Sequence, residues 1–450
     1  MASVRTAATR VGPTRVRDVW LVNHYADAPD QANGTRHFDL GRRIVGRGDR
    51  VTIFASGFSH VTGRRQRLGR WQLYRTQAFE GVRFVWLRTT PYRGNGARRQ
   101  INMLSFALVF LVVQSRLSRP DAIVGSTVHP FAAFAAWLAS RLRRASFLYE
   151  IRDLWPQTLV DMGALRLGSP GERLLRWIEA FLVRRAVVVI TLLPGVQRYL
   201  IERGLPADHV LYIPNGVDLE AFDRAASLPI AGTGSSAAVR CMAAIDAMRA
   251  EGRLVFAYVG AFGLVNGLST IAEAARIAEA RSPGSIGVLL IGDGPERERI
   301  AAEIAGLEAV RLCAPVPKAE IPTIMSAIDV GIVHATSTPT YRFGISFNKL
   351  FEYLAAGRPV VFACTSGNDP VAATHAGVSI PPLDAGRMAD AFLGLVASTP
   401  VERRAMGEAG RAYVAEGHDI ERLASMLAGP DGLGKATISA RGNRTGPPGD

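Results

Sequence analysis

The stretch Leu254–Pro295 reads LVFAYVGAFGLVNGLSTIAEAARIAEARSPGSIGVLLIGDGP and combines two apolar runs, two glycine-rich loops and one helical segment. The runs Leu254–Val259 and Ile286–Ile291 have the length and composition of buried strands. Two apolar strands joined through a helix pair in parallel, because the helix returns the chain to the same edge of the sheet. The stretch therefore predicts a parallel sheet covered by helices.

The alternation of strand and helix extends in both directions from this unit. It is interrupted once, at Val210–Phe222, which contains a Pro-Asn-Gly turn and precedes a Gly/Ser-rich stretch. We therefore predict two α/β domains of similar size with a cleft between them. The expected organisation is a disordered basic segment over 1–17, an N-terminal domain over 18–218, a C-terminal domain over 219–400, closing helices over 401–427 and a disordered tail over 428–450.

The composition is that of a soluble globular protein. The chain has 450 residues, of which 48% are apolar and 20% are charged, so a disordered chain, a coiled coil and a collagen-like fibre are excluded. The cysteines Cys241, Cys313 and Cys364 are too scattered for a disulfide framework or a zinc site. The segment Met1–Asp18 lacks the apolar core of a signal peptide. We therefore expect a cytoplasmic protein.

The chain is strongly basic. Its 53 Lys and Arg residues exceed its 39 Asp and Glu residues, and the net charge is +14. A basic surface attracts nucleic acid, an anionic membrane or phosphorylated substrates. Because the sequence contains no nucleic-acid-binding signature, we expect no nucleic-acid partner.

The most apolar segment, Met103–Val113 (MLSFALVFLVV), has about half the length needed to span a bilayer. It predicts either a buried helix or a helix that lies in the membrane interface. The arginines that flank it are Arg93, Arg98, Arg99, Arg116 and Arg119. They favour an anionic membrane surface as a partner, so we expect peripheral docking on the inner face of the plasma membrane.

The strongest candidate site is a short helix within Tyr341–Phe362, YRFGISFNKLFEYLAAGRPVVF. Ser346 is predicted as its N-cap, and Gly357 as its end. Three polar residues share one face of this helix: Asn348, Lys349 and Glu352. Lys349 lies in the first turn, where free N–H groups favour a phosphate, and Glu352 can accept hydrogen bonds from two sugar hydroxyls. The alternative is an amphipathic surface helix with a Lys–Glu pair.

Two glycine-rich loops follow the two strands of Leu254–Pro295. The first holds Gly260, Gly263 and Asn266, and the second holds Gly292 and Gly294. Both are candidate phosphate cradles, because glycine lets a ligand approach the backbone, and both are also compatible with an ordinary strand-to-helix turn. The second loop lacks the third glycine of a dinucleotide-binding fingerprint.

Polar residues also follow the predicted strands of the N-terminal half, or open the helices after them. They are His24, Gly34, Arg36, His129, Arg152 and Asp153. Ligands of an open parallel sheet bind beyond the carboxyl ends of its strands, so we expect these side chains to converge on one edge. Arg36 opens a helix, where the dipole disfavours a cation unless an anion binds beside it.

Several common catalytic signatures are absent from the sequence. It contains no Asp-x-Asp pair to bridge a metal and a diphosphate, no P-loop, no nucleophile elbow and no zinc-ligand spacing. We therefore expect no metal and no bound cofactor.

Six segments together resemble the glycosyltransferases of family 4, and within them a bacterial WbuB-like branch that builds cell-surface polysaccharides. They are NGTRHFDLGRRIVGRGDRVTIFASGFSH, YEIRDLWPQTLVDMGAL, YIPNGVD, YVGAFGLVNGL, IGDGP and FGISFNKLFEYLAAGRPVV. The resemblance implies the GT-B fold, with two Rossmann-like domains and C-terminal helices that cross back to the N-terminal domain. It also implies a retaining, metal-independent transfer from a nucleotide-sugar donor to a saccharide or polyprenyl-diphosphate-linked acceptor.

The resemblance implies roles for the candidate residues. Glu352 matches a ribose-binding glutamate, and Lys349 matches a lysine that faces the donor diphosphate. The expected groups are Asn348 and both glycine loops at the donor, Asp153, Arg152 and His129 beside Lys349 at the reaction centre, and His24, Gly34 and Arg36 at the acceptor or its phosphate. Where the family has a second glutamate, an arginine, a lysine, a histidine and a proline, this chain has Gly344, Ala261, Asn266, Arg152 and Phe347. The diphosphate is then expected to be neutralised by Lys349, the helix N-terminus and either Arg36 or Arg342.

Two other functions remain alternatives at this point. One is a nucleotide-sugar epimerase of the same fold, which would need acidic catalytic residues facing the sugar. The other is a non-catalytic partner in polysaccharide assembly.

Overall fold

A computed structural model describes residues 16–30, 34–59, 63–65, 67–94, 96–127, 129–230 and 234–436. Within them the chain forms two large sheets, one before and one after the predicted boundary at residue 218. The prediction of a two-domain α/β protein is therefore confirmed. Residues 1–15 of the predicted disordered segment lie outside the described residues.

The N-terminal sheet has eight strands and a crevice at its centre. The described strands of this domain are β1 (Asp18–Val22), β2 (Arg50–Ser56), β3 (Phe58–Ser59), β4 (Arg64–Arg65), β5 (Tyr74–Phe79), β6 (Val82–Leu87), β7 (Ala122–Thr127), β8 (Ser146–Ile151), β9 (Val188–Thr191) and β10 (Val210–Tyr212). The sheet order is β10-β9-β8-β7-β1-β2-β6-β5, and only β5 runs antiparallel to its neighbour. Because the strand order reverses between β1 and β7, a crevice opens beyond their carboxyl ends.

The C-terminal sheet is parallel throughout and repeats this arrangement. Its described strands are β11 (Leu254–Val259), β12 (Ile286–Ile291), β13 (Val310–Cys313), β14 (Val330–His334), β15 (Val360–Ala363) and β16 (Gly377–Ile380). Their order is β13-β12-β11-β14-β15-β16, so the reversal here lies between β11 and β14. The predicted glycine loops leave the carboxyl ends of β11 and β12.

Helices cover both sheets, and two buried apolar clusters belong to each domain. The described α-helices are α1 (Arg36–Gly46), α2 (Ala97–Val113), α3 (Pro130–Arg143), α4 (Gln157–Asp161), α5 (Pro170–Arg185), α6 (Val196–Glu202), α7 (Leu219–Ala226), α8 (Ser236–Ala250), α9 (Leu268–Arg281), α10 (Arg297–Glu303), α11 (Ile321–Ala327), α12 (Asn348–Ala355), α13 (Pro370–Thr374), α14 (Ala385–Ala397), α15 (Pro400–Gly417) and α16 (Ile420–Ala428).

The last helix crosses back to the N-terminal domain, as predicted. Leu423 of α16 is buried in the same apolar cluster as Val19 of β1. Residues 428–436 continue this packing, since Leu433 is also buried in that cluster. The predicted disordered tail is therefore wrong for 428–436, because burial of apolar side chains orders this segment. Residues 437–450 lie outside the described part of the chain.

The apolar segment Met103–Val113 lies within α2, and its two faces differ. One face is buried in the N-terminal core through Met103, Phe106, Phe110 and Val113. The opposite face exposes Ile101, Leu104, Leu108 and Val112, each about half accessible. The buried-helix interpretation thus describes one face of α2 and leaves the other unexplained. Among the described helices, none is long and apolar enough to cross a bilayer.

A turn at the domain boundary joins the N-terminal domain to the loop before α12. The Asn215 backbone N–H donates to Oγ of Ser346 over 2.9 Å, and Nδ2 of Asn215 donates to the Ser346 carbonyl over 2.7 Å. Ser346 was predicted as the N-cap of α12, but the helix begins at Asn348 with Phe347 as its N-cap and no capping side chain. The prediction is wrong because the Ser346 hydroxyl accepts a hydrogen bond from the other domain.

Candidate functional site

Loops of the two domains meet in a cleft between the carboxyl edges of the two sheets. Lys318, after β13, donates a 2.5 Å hydrogen bond from Nζ to Oγ1 of Thr35, in the loop before α1. A Cβ on Gly34 would lie 3.2 Å from Nδ2 of Asn348. The structure therefore brings two predicted site residues, Gly34 and Asn348, together from opposite sides of the cleft.

Lys349 lies in the first turn of α12, facing the first glycine loop. Its Nζ donates to the Tyr258 hydroxyl over 2.8 Å and lies 4.1 Å from the centroid of that ring. A Cβ on Gly260 would lie only 3.1 Å from Nζ. Burial lowers the pKa of Lys349 to about 7, although Glu352 acts in the opposite direction. The ammonium is therefore held in a site that favours its charge only when an anion is present.

Glu352 lies one turn further along the same face of α12 and is half-buried. Burial raises the pKa of its carboxyl group, while Lys318 and Lys349 oppose that effect. Its side chain accepts no hydrogen bond from the residues that the structure describes. The carboxylate is thus available to two hydroxyl donors beside the position of an anion on Lys349.

The two glycine loops contact each other next to Lys349. The Phe262 backbone N–H donates to the Asp293 carbonyl over 2.8 Å. A Cβ on Gly292, whose φ is +151°, would lie 1.9 Å from the Gly260 carbonyl oxygen. Gly294 approaches the Phe262 carbonyl almost as closely, with a Cβ distance of 2.5 Å. These three glycines let the loops form one continuous backbone surface at the cleft.

Asn266 and Gly263 were predicted at the donor, and the structure places them in the turn that closes the first loop. Nδ2 of Asn266 donates to the Ala261 carbonyl over 2.9 Å. A Cβ on Gly263 would lie 3.6 Å from that amide nitrogen, which is an ordinary contact. The Asn266 side chain therefore stabilises the loop and adds no charge to the site.

Arg36 binds groups of the protein itself, contrary to the prediction of a phosphate. Its Nε donates to Glu150 Oε1 over 3.1 Å, and its two terminal nitrogens donate to the carbonyls of Ile213 and Pro214. The other Glu150 oxygen accepts a 2.7 Å hydrogen bond from Nε2 of His37. Burial would raise the pKa of Glu150, but His37 and Arg36 hold it well below its usual range. The anion indicated by the position of Arg36 is thus a buried carboxylate.

His24 and His129 lie together at the crevice between β1 and β7. Nδ1 of His129 accepts from the Ala132 N–H at the start of α3, so its Nε2–H donates to Nδ1 of His24 over 2.9 Å. Burial lowers the pKa of His129 to about 3, and the imidazole is neutral at physiological pH. Both rings are buried, with 2% of His24 and none of His129 exposed, so the pair lies beneath the surface of the crevice. The two side chains do meet at one edge of the sheet, as their strand-end positions predicted.

Arg152 and Asp153 follow β8 on the same edge of the N-terminal sheet. The Arg152 backbone N–H donates to Oγ1 of Thr127 over 3.2 Å, which joins the ends of β8 and β7. Nε of Arg152 is buried without a hydrogen-bond partner in the described residues. Asp153 is exposed and accepts a 3.2 Å hydrogen bond from Oγ1 of Thr158. Both residues thus lie at the cleft, as predicted.

Three residues of the site were not singled out from the sequence: Tyr258, Lys318 and His334. His334 ends β14, is buried, and accepts a 3.1 Å hydrogen bond at Nε2 from the Leu383 N–H. A Cβ on Gly267 would lie 2.2 Å from the His334 ring, so this histidine packs directly under the first loop. Each of the three lies at or just beyond the end of an apolar strand, the signal that identified His24 and His129.

The chemistry that this geometry allows is specific. A phosphate group can lie against Lys349, the uncapped first turn of α12 and the glycine-loop backbone. A diol can reach Glu352 one turn away. The C-terminal side of the cleft is therefore suited to a ligand that combines a phosphate with a sugar, and the N-terminal side presents Arg152 and Asp153.

Two family models match the chain, one on each domain. The Glycosyl transferase 4-like domain matches residues 34–216, and the Glycosyl transferases group 1 model matches residues 253–398. The interval between the two matches, residues 217–252, contains the first two helices of the C-terminal domain, α7 and α8.

One curated relative is WcaI of Escherichia coli (strain K12), named as a colanic acid biosynthesis glycosyl transferase. It is 24% identical over 216 residues, which are 46% of this chain and 49% of WcaI. The match therefore spans about half the length of that relative.

Solved structures of similar fold cover almost the whole chain. Sucrose-phosphate synthase from Thermosynechococcus elongatus superposes with a TM-score of 0.68 at 19% identity, over 92% of this chain and 97% of that one. Anabaena HepE in complex with UDP and glucose gives 0.61 at 15% identity, over 92% and 98%. A trehalose-6-phosphate structure from E. coli, bound with UDP-2-fluoro glucose, gives 0.68 at 12% identity, over 91% and 98%. These likenesses establish the GT-B fold.

The low pKa of Lys349 predicts how stability depends on pH. The amine is protonated in the unfolded chain up to about pH 10 and in the folded protein only up to about pH 7, so folding releases a proton between these values. The free energy of unfolding of the wild type, relative to Lys349→Met, should therefore rise with pH across this window, by at most about 1.4 kcal/mol per pH unit.

Denaturant titrations of both proteins from pH 6 to pH 10 measure this difference. Lys349→Arg is the matched control, because arginine stays protonated throughout and its stability should follow pH as that of Lys349→Met does. A constant difference between wild type and Lys349→Met would contradict the prediction.

Proposed function

We propose that this chain, which belongs to the family 4 glycosyltransferases of the GT-B fold, transfers a hexosyl or N-acetylhexosaminyl group from a nucleotide-sugar to a saccharide acceptor with retention of configuration. The observation that supports this best is the placement of Lys349 and Glu352 on one face of α12, at the reversal point of the C-terminal sheet. A cation and a free carboxylate one turn apart suit the diphosphate and the ribose of a nucleotide.

In this proposal the C-terminal domain binds the donor. The diphosphate lies between Lys349 and the glycine loops, and Glu352 accepts hydrogen bonds from the two ribose hydroxyls. Diphosphate departure places negative charge next to Lys349, and the anion then raises the pKa of the ammonium from its low unliganded value. The lysine therefore interacts more strongly with the leaving group than with the neutral pocket, which is the condition for transition-state stabilisation.

The proposal includes no divalent metal. The uncapped N–H groups of α12 and the Lys349 ammonium supply the positive field that a metal would supply elsewhere. The acceptor binds on the N-terminal side, between the His24–His129 pair and the loop that carries Arg152 and Asp153.

The test is transfer of a radiolabelled sugar from a panel of UDP- and GDP-sugars to a lipid-linked saccharide acceptor, with EDTA in the buffer. Transfer with retained anomeric configuration is the expected result. Loss of all activity in EDTA, restored by Mg²⁺ or Mn²⁺, would contradict metal independence. Interconversion of the donor sugar without transfer would identify an epimerase in place of a transferase.

Glu352→Ala should weaken nucleotide binding by about tenfold or more, because hydrogen bonds to a charged group are worth about 1.5–3 kcal/mol. Isothermal titration with the nucleotide of the active donor measures the change. Glu308→Ala removes an exposed carboxylate from the same domain and should bind as the wild type does. Equal affinity of Glu352→Ala and wild type would exclude Glu352 from the ribose site.

The acceptor is proposed to be polyprenyl-diphosphate-linked, and the exposed face of α2 supports this. Ile101, Leu104, Leu108 and Val112 form an apolar stripe with helical spacing on the surface of the acceptor domain. Exposed apolar stripes flanked by arginine are typical of helices that lie in the interface of an anionic bilayer. Docking of α2 on the inner face of the plasma membrane would place the cleft beside a lipid-linked substrate of cell-surface polysaccharide synthesis.

Vesicle co-sedimentation tests this docking. The wild type should bind anionic vesicles, bind neutral vesicles less, and lose binding as salt rises, because exposed charges are screened over about 10 Å at 0.1 M ionic strength. Charge reversal at Arg98 and Arg116, both exposed, should reduce binding to anionic vesicles.

The matched control reverses Arg240 and Arg404, two exposed arginines of the C-terminal domain, and changes the net charge equally. Leu104→Ser with Leu108→Ser should weaken the binding that survives high salt. Equal binding to anionic and neutral vesicles, or equal effects of the two charge reversals, would exclude docking through α2.

A further inference from the structure

Most cations around the cleft are already bound to protein groups. Arg36 is bonded to Glu150 and two carbonyls, and Lys318 donates to Thr35. Arg342 is 62% exposed at its side chain, pairs with Glu202 and lies over the ring of Phe343. The first glycine loop supplies no charge, because it carries Ala261 and an Asn266 that closes the loop. Lys349 is therefore the cation that α12 presents to a diphosphate, while Arg297 at the second glycine loop donates to the Gly292 carbonyl.

Arg152 differs from these cations. Among the residues that the structure describes, its guanidinium makes no ion pair and no hydrogen bond, and its Nε is buried without a partner. A buried donor without an acceptor is costly, and each such group in a native structure calls for a ligand or a water. The half-buried head group is therefore suited to an acceptor atom that comes from outside the chain.

The charges around Arg152 favour an anion as that ligand. Glu150 is the nearest buried carboxylate in sequence, but Arg36 and His37 already occupy both of its oxygens. Arg36 and Glu150 cancel, and burial lowers the pKa of His37, so its imidazole stays neutral. The neighbouring Asp153 forms no ion pair with Arg152 within the described residues: its carboxylate accepts from Thr158, and burial raises its pKa while Arg152 opposes that rise. The Arg152 guanidinium is therefore left without a bonded anion at the carboxyl end of β8.

A chain of hydrogen bonds and an electrostatic interaction relate this loop to the segment that leads into α12. Arg36 connects Glu150 to the Pro214 carbonyl, and the next residue, Asn215, is bonded to Ser346, three residues before Lys349. On the other side, burial raises the pKa of Tyr341 to about 12, and Cys364 and Asp153 add to that rise. The segment that leads into α12 therefore lies within the electrostatic reach of the Arg152–Asp153 loop.

We propose that Arg152 is a catalytic residue that binds the outer phosphate of the donor diphosphate from the acceptor domain, opposite Lys349. This inference rests on the proposed function and assigns one more residue to it. The planar guanidinium can donate two parallel hydrogen bonds to one phosphate, which a lysine cannot do. The leaving group is then fully neutralised only when both domains contact it, so departure of the diphosphate is coupled to closure of the cleft.

The experiment compares nucleoside diphosphate with nucleoside monophosphate binding. UDP, GDP and ADP are first titrated into the wild-type protein to find the nucleotide that binds. Arg152→Gln should weaken binding of that diphosphate by about tenfold or more and leave the corresponding monophosphate within about twofold, because only the outer phosphate loses its partner. Arg166→Gln, an exposed arginine of the same domain, is the matched control and should change neither affinity.

The outcomes separate this inference from the proposed function. If the wild type binds none of the nucleotides, the proposed function fails. If it binds but Arg152→Gln retains the diphosphate affinity, or loses both ligands equally, the assignment of Arg152 to the outer phosphate is overturned. An unchanged diphosphate affinity with a raised KM for the acceptor would assign the guanidinium to an acceptor phosphate and would also overturn it.

A second variant covers the case in which Arg152→Gln does not fold, as judged by its Tm. Arg152→Lys keeps the charge and loses the two-pronged donor, so diphosphate affinity should fall relative to the wild type while monophosphate affinity stays unchanged. A lysine variant with wild-type affinity for the diphosphate would exclude the bidentate contact.

Discussion

The contact between Asn215 and Ser346 is the constraint on which the site depends. Two hydrogen bonds of 2.9 and 2.7 Å join the turn at the end of the N-terminal domain to the residue that precedes the N-cap of α12. The same turn provides the carbonyl groups that Arg36 binds, and the next residue after it, Gly216, approaches the His418 carbonyl so closely that a Cβ there would lie 2.3 Å from the oxygen. The turn at residues 213–216 thus contacts the segment before α12, the buried Arg36–Glu150 pair and the segment before α16.

Electrostatics divides the cleft into two unlike halves. On the N-terminal side a buried carboxylate is satisfied by Arg36 and His37, burial keeps His129 neutral, and the charged groups that follow β8 are Arg152 and Asp153. On the C-terminal side burial weakens the proton affinity of Lys349 and strengthens that of Glu352. A charged group that is desolvated without a partner is stabilised strongly by a ligand of opposite charge or by hydroxyl donors. A preformed site of this kind therefore favours binding of a phosphorylated sugar.

The outer surface of the N-terminal domain carries exposed apolar side chains on α2. Apolar side chains normally become buried in a core, and one face of α2 does so, yet the opposite face keeps four large apolar residues in solvent. A helix that covers a sheet buries one stripe of its surface, and the second stripe of α2 stays about half exposed. This stripe lies on the same domain as His24 and His129.

The periodicity of apolar residues and the polar residues that follow the strands determined the fold class and several site residues from the sequence alone. Alternating apolar runs and glycine loops were enough to predict two α/β domains. The strands Leu254–Val259 and Ile286–Ile291 have the bounds that were predicted. Lys349 and Glu352 share a helix face because their spacing is local, and His24 and His129 meet because carboxyl ends of parallel strands share an edge. The half-exposed strand β5 and the order in residues 428–436 were not predicted, since each depends on a distant neighbour. Only the tertiary structure decided that Ser346 binds Asn215 in place of capping α12, and that Arg36 binds Glu150 in place of a phosphate. Both outcomes pair groups more than 100 residues apart, and no local pattern records which distant partner will satisfy a buried polar group.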